Sequence, residues 1–545
     1  LERGMRLACQ TREQSTMSVL ITPGLRTLGG KILVDGLQRT FPLDPSVEKK
    51  YFQLPEPSLL DQSADLQRVM RAMDDGGNRR AEFDIDIIRE LPGILRRSEF
   101  RVTVVSIGGR VAGVEPGDTT GRKFGIAFDL GTTTVVGTIL DLSNGRELGH
   151  ASRLNAQMIY GEDTISRIQY GMEYPERRGD MTEKIRSVVN EIVREASGRA
   201  GIDPLEIYEA VFAGNTAMSH LFVGLDPSGL GRMPFVPVSS APVNLRAIDA
   251  GIDINPRGNL HVLPNIAGFV GSDTVGVMLA CNYLEPGPSR LAVDVGTNGE
   301  LALRKGDAIM ACSTAAGPAL EGAALSCGMR AANGAIEHVR ITDDAVVCDV
   351  IGDTAPVGIC GSGIIDIVAE LLDRGIVDSL GRLLEREELK DSIPEHLLDC
   401  LIETEGQPAF LLARADREKG ISRDVAVTQR DIRQIQLAKG AISAGIELIL
   451  KEMSMTAGDL DEILLAGAFG NYIRKRSAQR IGLLPPAPPE RIRFVGNAAS
   501  TGAKMALLSR SAREDADRIS RKTRHIELAA MPEFMNTFMN SMLFP

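Results

Sequence analysis

The chain has 545 residues, of which 43% are hydrophobic and 24% charged, as is usual for a soluble globular protein. The net charge of −11 argues against a nucleic-acid partner, and an aromatic content of 4% without tryptophan argues against stacking on single strands. No apolar run approaches the ~18 residues of a membrane helix and no signal-peptide segment is present, so we expect neither a membrane partner nor export.

The cysteines favour a reducing, cytoplasmic compartment. Seven are present, an odd number, and no two have the C-x-x-C spacing of a zinc or redox site. They are Cys9, Cys281, Cys312, Cys327, Cys348, Cys360 and Cys400. We therefore predict free thiols rather than a disulfide framework.

The first 118 residues divide into a linker and a small domain. Residues 1–45 carry turn-forming residues and short apolar runs, which indicates the remnant of another domain followed by a linker. Residues 46–118 predict a small α+β domain with two helices, the second ending near Pro92, and a hairpin around Gly108-Gly109. Since the chain does not begin with Met, we expect a fragment of a longer protein.

From residue 122 onward, buried strands alternate with helices, as in an α/β fold. Residues 124–133 and 291–298 repeat one pattern: an apolar strand runs into Asp-x-Gly-Thr, and a second apolar strand follows. This internal repeat predicts two related lobes that face each other, over residues 122–288 and 289–545.

The first Asp-x-Gly-Thr segment has the chemistry of a phosphate loop. Gly131 lets the backbone turn and approach a ligand, while the following amides and the hydroxyls of Thr132 and Thr133 can donate to phosphate oxygens. An ionised Asp129 cannot donate, so its predicted role is to hold Mg²⁺ through water.

The second segment repeats this chemistry with Asp294, Gly296, Thr297 and Asn298. Either segment alone could be an ordinary hairpin turn. Two of them predict that the phosphates of ATP are clamped from opposite sides, with Asp129 and Asp294 as the catalytic carboxylates that hold Mg²⁺.

A third segment, residues 463–471, is typical of an adenosine site. A buried strand ends there in small residues, which leaves room for a flat base and its ribose. The candidate contacts are Gly467, Ala468, Gly470 and Asn471. Small residues at 265–273 and 496–503 would let two helices cross closely, as a hinge between lobes requires.

The order of these segments resembles the actin, sugar-kinase and heat-shock-protein superfamily. The order is phosphate, connector, phosphate, adenosine, connector. We therefore expect a two-lobed, ribonuclease-H-like ATPase domain of the α/β class, preceded by the small α+β domain.

Further motifs resemble one family, the reductive activators of corrinoid proteins. They include Gly214-Asn-Thr216-Ala-Met-Ser-His220, Ala316-Gly-Pro-Ala-Leu-Glu321-Gly322, Gly358-Ile-Cys360-Gly-Ser-Gly363 and the terminal Met542-Leu-Phe-Pro545. The resemblance covers nearly the whole chain, and it implies that Gly317 and Glu321 contact the nucleotide.

The resemblance also implies a reaction and its partners. ATP would drive the return of an inactive Co(II) corrinoid protein to Co(I), and the activator would be a homodimer. Residues 46–118 are the expected contact, because this segment is too small for a large independent core. In this family the electron comes from an N-terminal [2Fe-2S] domain. The segment around Cys9 resembles the one that carries its last ligand, but the preceding C-x₄₋₅-C-x₂-C run is not in this sequence. One thiolate cannot hold that cluster, so we expect this chain to supply ATP binding, hydrolysis and docking.

Four other features have two interpretations each. Gln436 and Lys439 lie in a polar stretch with helical spacing. We predict that they contact the nucleotide or Mg²⁺, and the alternative is that they lie on a solvated helix face. Cys327 and Cys360 could join a [4Fe-4S] cluster between subunits, as in activators of acyl-CoA dehydratases, but burial as small hydrophobes is preferred. We interpret His220 as structural and the Met/Phe stripe over 531–542 as core packing.

Other functions stay open on the same scaffold. A small-molecule kinase needs a carboxylate base in the cleft, and Asp273 or Glu321 could supply it. A chaperone-like ATP-gated clamp, or an ATP-gated activator of another low-potential enzyme, would use the same nucleotide site.

Overall fold

The computed structural model describes residues 41–74, 82–416, 418, 420–467 and 472–545. They form a small α+β domain followed by two α/β lobes that face each other across a cleft, which confirms the predicted fold class. None of the helices in these ranges is long and apolar enough to span a lipid bilayer.

The small domain is a four-stranded sheet that shares one core with two helices. The strands are β1 (Val47–Gln53), β2 (Glu82–Phe83), β3 (Arg101–Ile107) and β4 (Arg110–Pro116), in the order β1-β3-β4-β2. The helices are α1 (Asp65–Met73) and α2 (Ile85–Arg97). The predicted hairpin is confirmed, and Gly108 and Gly109 make its turn at φ of 57° and 89°.

The expected end of the second helix near Pro92 is wrong. Helix α2 continues through this proline to Arg97. Leu91, Ile94 and Leu95 bury one apolar stripe of the helix against the sheet. Packing of that stripe outweighs the single backbone hydrogen bond that a proline removes.

The first lobe surrounds a six-stranded sheet in the order β7-β6-β5-β8-β10-β9. Its strands are β5 (Phe124–Leu130), β6 (Thr134–Asp141), β7 (Glu147–Leu154), β8 (Ile207–Gly214), β9 (Val243–Arg246) and β10 (Asn259–Val262). Its helices are α3 (Thr164–Glu173), α4 (Arg178–Ala200), α5 (Thr216–Val223), α6 (Ala247–Ala250) and α7 (Ser272–Ala280). Strands β5 to β7 form an antiparallel meander, while β8 and β10 run parallel to β5.

The second lobe has a sheet in the order β21-β20-β11-β12-β13-β22, and its first five strands repeat the topology of β10-β8-β5-β6-β7, while β22 and β9 lie at opposite edges. Its strands are β11 (Arg290–Val295), β12 (Gly299–Lys305), β13 (Ala308–Thr314), β20 (Glu462–Ala466), β21 (Ile492–Gly496) and β22 (Thr523–His525). The antiparallel meander β11 to β13 is followed by the parallel strands β20 and β21. The duplication predicted from the sequence repeat is thereby confirmed.

An insertion lies between β13 and the long helix of the second lobe. It holds β14 (Ala335–Ile341), β15 (Val346–Val350), β16 (Gly358–Ile359), β17 (Leu401–Thr404), β18 (Gln407–Ala413), β19 (Val425–Thr428), α8 (Gly361–Asp373), α9 (Arg386–Leu389) and α10 (Glu395–Leu398). The remaining helices are α11 (Gln429–Glu452), α12 (Lys475–Arg480), α13 (Ala498–Leu508), α14 (Arg510–Lys522) and α15 (Phe534–Ser541).

The lobes exchange helices behind the cleft. Helix α7 packs on β11 and β12 of the second sheet as well as on β8 of its own, and α13 packs on β5 and β8 of the first. The two helices cross so closely that a Cβ on Gly502 would lie 2.3 Å from the carbonyl oxygen of Gly276. The close crossing predicted from small residues is confirmed.

The terminal Met/Phe stripe is only half inside the core. Phe534 and Phe538 are half-buried, while Met535 is 60% and Met539 48% exposed. Helix α15 packs on α11, so its opposite side remains exposed.

Candidate functional site

The cleft is formed by the turns of the two matching hairpins. The β5–β6 hairpin turns at residues 131–133, and the β11–β12 hairpin turns at residues 296–298. A cavity of about 340 Å³ lies between the turns, and both Asp129 and Asp294 line it. The structure therefore brings together the two Asp-x-Gly-Thr segments, which are far apart in the sequence.

The first turn is held in one conformation by lobe 1. A Cβ on Gly131 would lie 2.4 Å from a backbone carbonyl oxygen, so the turn requires glycine. Asn155 donates its side-chain amide to the carbonyl of Gly131 (3.0 Å) and its backbone N–H to that of Thr133 (3.0 Å). Arg167 donates to the carbonyl of Thr132 (2.6 Å). These bonds fix the turn before any ligand binds.

The second turn is held by the segment that follows β13. The N–H of Gly296 donates to the carbonyl of Asn298 (3.0 Å), and the N–H of Gly317 donates to that of Thr297 (2.9 Å). The Thr297 hydroxyl donates to Oε1 of Glu321 (2.8 Å). Glu321 lines the cavity, while Gly317 supports the turn through its backbone.

Five carboxyl groups line the cleft, and the environment of four of them opposes ionisation. Burial raises the pKa of Asp129 to about 6, although the Asn497 amide donates to its Oδ2 (2.7 Å). Burial, together with the nearby Asp273 and Asp129, raises the pKa of Asp294 to about 7. Burial and neighbouring carboxylates also raise the pKa of Asp273 and of Glu300. A cation in this cleft would reverse the effect.

These groups fit Mg²⁺ held through water rather than directly. Across the parts of the chain that the structure describes, no three His, Cys, Asp or Glu side chains are close enough together to hold a metal ion. Mg²⁺ usually keeps several waters and takes only one or two carboxylates besides phosphate oxygens. Asp129 and Asp294 both line the cavity and supply oxygen donors only, which suits this ion.

Gly467 lies at the end of β20, beside Asp294. Its φ is +91°, its N–H donates to the carbonyl of Gly496 (3.1 Å), and a Cβ here would lie 2.6 Å from Oδ1 of Asp294. Helix α8 starts at the same cavity with Gly361. The other three adenosine candidates, Ala468, Gly470 and Asn471, lie outside the described residues, as does Cys9.

The structure does not bring Gln436 and Lys439 to the cleft. The Gln436 amide donates to the carbonyl of Met542 (3.0 Å), and the buried Lys439 ammonium donates to the carbonyl of Leu543. Lys439 also lies 5.1 Å from the ring centre of Phe544, and burial lowers its pKa to about 8. Both side chains bind the C-terminal segment, which packs against helix α11. Helical spacing alone could not predict this contact.

Sequence reasoning missed three polar residues of the site. Glu300 is the cross-strand partner of Asp294, so the register of the predicted hairpin could have identified it. Asn215 and Asn497 each follow a strand and cap the next helix, and the Asn215 amide donates to the Thr132 hydroxyl (2.9 Å). Asparagine at such a position is a helix-start signal.

The remaining candidates have structural environments. Cys360 is buried, with Sγ 3.2 Å from the carbonyl of Ile336, and burial raises its pKa. Cys327 is half-buried. The ring of His220 contacts the carbonyl of Thr216 through Nδ1 (2.8 Å) and accepts from the N–H of Val238 at Nε2 (3.0 Å), so both nitrogens are used in packing.

Comparison with known proteins gives consistent matches along the chain. Three family models match: the RACo linker region over residues 36–121, the RACo middle region over 124–285, and the C-terminal domain of RACo, described as the ASKHA domain, over 289–545. The corrinoid activation enzyme RamQ of Eubacterium limosum is 40% identical over 445 residues, 82% of this chain and 74% of that protein. A [Co(II) methylated amine-specific corrinoid protein] reductase of Methanosarcina barkeri is 24% identical over 76% of each chain.

A solved structure resembles the chain as a whole. It is a reductive activator for a corrinoid, iron-sulfur protein, with a TM-score of 0.84 and 35% identity. The match covers 96% of this chain and 83% of that one.

Proposed function

The chain belongs to the RACo family, and on this premise we propose that it is an ATP-dependent reductive activator, which helps return an inactive Co(II) corrinoid protein to Co(I). The observation that carries the proposal is the cleft, where two matching turns present hydroxyls and carboxylates to one cavity from opposite lobes. Such an arrangement suits a polyphosphate with its metal ion. The names of the relatives supply the cobalt chemistry, and the geometry supports the nucleotide.

In this proposal ATP lies with its phosphates between the two turns and its base toward Gly467. The hydroxyls of Thr132 and Thr133 donate from one lobe, and the hydroxyl of Thr297 donates from the other. Mg²⁺ between Asp129 and Asp294 would neutralise charge on the phosphates. The N-terminus of α8 adds the positive end of a helix dipole to the cavity.

Electron transfer needs a redox centre, and the described residues do not fit an iron–sulfur cluster. A [2Fe-2S] cluster needs four ligands, whereas no three cysteines or other metal-binding side chains group together in the described ranges. We therefore assign to this part of the chain ATP binding, hydrolysis and docking, and no redox step. The electron that converts Co(II) to Co(I) then comes from a redox centre outside the described residues.

ATP can favour cobalt reduction only through different affinities for the states involved. We propose that the ATP-bound form prefers the corrinoid protein with its Co(II) stripped of the lower axial ligand. Removing that ligand makes Co(II) easier to reduce. The activator thus acts on the equilibrium, while the donor supplies the electron.

The test follows the Co(I) absorbance band under anoxic conditions. The chain, its corrinoid protein and Ti(III) as the electron donor are mixed with and without MgATP. Wild-type chain should accelerate Co(I) formation with ATP, and Asp129→Ala and Asp294→Ala should each reduce this ATP effect and ATP hydrolysis at least roughly tenfold, because each removes a carboxylate that holds Mg²⁺. The exposed Asp307→Asn serves as the matched control and should leave both unchanged.

Two results would contradict the proposal. Unchanged ATP hydrolysis in both cleft variants would remove the nucleotide site from these turns. ATP hydrolysis without any effect on Co(I) formation would remove the activator function while leaving an ATPase.

A small-molecule kinase is the second candidate, because Asp273 lies in the same cavity as the two turns. A kinase would use such a carboxylate as the base that accepts a substrate hydroxyl proton. Phosphoryl transfer to sugars and organic acids separates the two functions. A stoichiometric phosphorylated product would replace the activator with the kinase.

We also propose that the chain forms a homodimer through residues 46–118. This segment has its own small core, built by four short strands and two helices. A core of that size gives limited independent stability, which association would supplement. Sedimentation of the intact chain as a monomer would argue against this contact.

A further inference from the structure

Glu321 lies between the two turns of the cleft and binds both. Its Oε1 accepts a hydrogen bond from the hydroxyl of Thr297 (2.8 Å), and its Oε2 accepts one from the hydroxyl of Thr133 (3.4 Å). Thr133 belongs to the first lobe and Thr297 to the second. One carboxylate therefore links the two lobes through the hydroxyls of both turns.

The position of this carboxylate is fixed by the backbone before it. A short 3₁₀ helix, Pro318–Glu321, ends at this residue, between Gly317 (φ +75°) and Gly322 (φ +78°). Both glycines have a φ that other residues rarely adopt. A Cβ on Gly296 would lie 3.7 Å from Oε1, so the carboxylate rests over the second turn.

The hydroxyls of Thr133 and Thr297 cannot donate to Glu321 and to a phosphate at the same time, because each has one proton. A phosphate bound between the turns would also place its negative charge beside the Glu321 carboxylate. Two like charges at such a distance repel, and Mg²⁺ bound with the phosphates weakens this repulsion but does not supply the missing protons. A polyphosphate that accepts hydrogen bonds from both hydroxyls must therefore displace the Glu321 bridge.

We propose that Glu321 is an internal competitor of the nucleotide phosphates, whose bridge between the lobes is replaced when a polyphosphate binds. This inference rests on the proposed ATP function. The phosphates compete for the hydroxyls that form the bridge, whereas adenosine does not contact them. The number of phosphates on the nucleotide therefore decides whether the lobes stay linked through Glu321. The side chain would then connect the nucleotide state to the relative position of the lobes.

The test measures the affinity for adenosine, ADP and ATP, with Mg²⁺, by isothermal titration calorimetry. Glu321→Gln keeps the size of the side chain and one acceptor oxygen but removes the charge. We expect ATP to bind this variant about tenfold more tightly than wild type and ADP several-fold more tightly, because the repulsion is gone. Adenosine should bind the two proteins within about twofold, since it carries no charge.

Two further variants complete the experiment. Glu490→Gln makes the same change of net charge at an exposed residue and should alter no affinity. Glu321→Asp keeps the charge but is too short to reach both hydroxyls, so it should strengthen ATP binding only about threefold. If Glu321→Gln does not fold, the aspartate variant decides the question.

The outcomes distinguish the inference from the function on which it rests. Equal or weaker ATP binding by the variants, with normal binding by wild type, would overturn the competitor and make Glu321 a supporting ligand. A wild-type chain that binds no ATP would instead overturn the proposed function.

Discussion

The raised pKa of Asp294 predicts that this residue lowers the stability of the folded protein at neutral and higher pH. Its carboxyl group has a pKa of about 7 in the fold, against 3.8 for an unperturbed aspartate. Between these two values the folded chain binds more protons than the unfolded chain. Stability therefore falls as the pH rises from about 4 to about 7, and the penalty is complete above about 7.

The size of the penalty follows from the shift. About three pH units at about 1.4 kcal/mol each correspond to about 4 kcal/mol. Asp294→Asn removes the ionisable group but leaves a half-buried amide without its full set of hydrogen bonds, which costs about 1–3 kcal/mol. We expect a net gain of about 1–3 kcal/mol in the free energy of unfolding at pH 8.

The assay is thermal unfolding of wild type and Asp294→Asn without added nucleotide, at pH values from 4.5 to 8. The variant should melt about 1–3 °C higher than wild type at pH 8, because a chain of 545 residues has a large entropy of unfolding, and this difference should shrink toward pH 4.5. MgATP should raise the melting temperature of wild type and not that of the variant. The matched control is Asp307→Asn, because the Asp307 side chain is 93% exposed and its loss should not change the melting temperature.

A variant that melts lower than wild type at pH 8 would contradict this reasoning. So would a pH dependence identical to that of wild type, because the penalty would then arise from other groups. The expected result is the usual cost of a functional site, where stability is lowered by groups that a ligand requires.

Three more substitutions test other parts of the cleft and its surroundings. Gly467→Val should weaken ATP binding more than roughly tenfold, because its side chain would collide with the Asp294 carboxylate. Gly375→Val is the control, because Gly375 also has a positive φ (+68°) but no atom lies near its Cβ position. Equal losses of affinity in the two variants would point to backbone strain instead. Lys439→Met should lower the melting temperature by releasing the C-terminal segment, and calorimetry should find ATP affinity within about twofold of wild type, because Lys439 binds Leu543 rather than the cleft. Asn497→Ala should shift the pH profile of ATP hydrolysis to higher pH, because loss of the hydrogen bond lets the pKa of Asp129 rise further above about 6. An unchanged profile would show that this bond does not set the pKa of Asp129.

The site could be predicted from the sequence where its chemistry is local. Each phosphate turn connects two consecutive strands through an Asp-x-Gly-Thr segment, so a few adjacent residues determine its geometry. Glu300 could also have been predicted, because the register of the hairpin places it opposite Asp294. Such features need only backbone periodicity and turn chemistry.

The rest depends on contacts between distant segments. Gln436 and Lys439 share a helix side by their spacing, but the neighbour on that side is the chain segment 542–545. The length of helix α2 depends on the sheet beneath it, which overrides the local effect of Pro92. The role of Glu321 needs the distance between two lobes, which no local pattern contains.

The exchange of helices α7 and α13 has a consequence for any attempt to divide the protein. One hydrophobic core contains Ala127 and Val211 of the first sheet, Ala292 and Leu464 of the second, and apolar residues of both exchanged helices. A break in the segment 281–289 would leave each fragment carrying a helix that covers the other fragment's sheet. The halves should therefore be insoluble when expressed singly and should reconstitute a folded protein when expressed together.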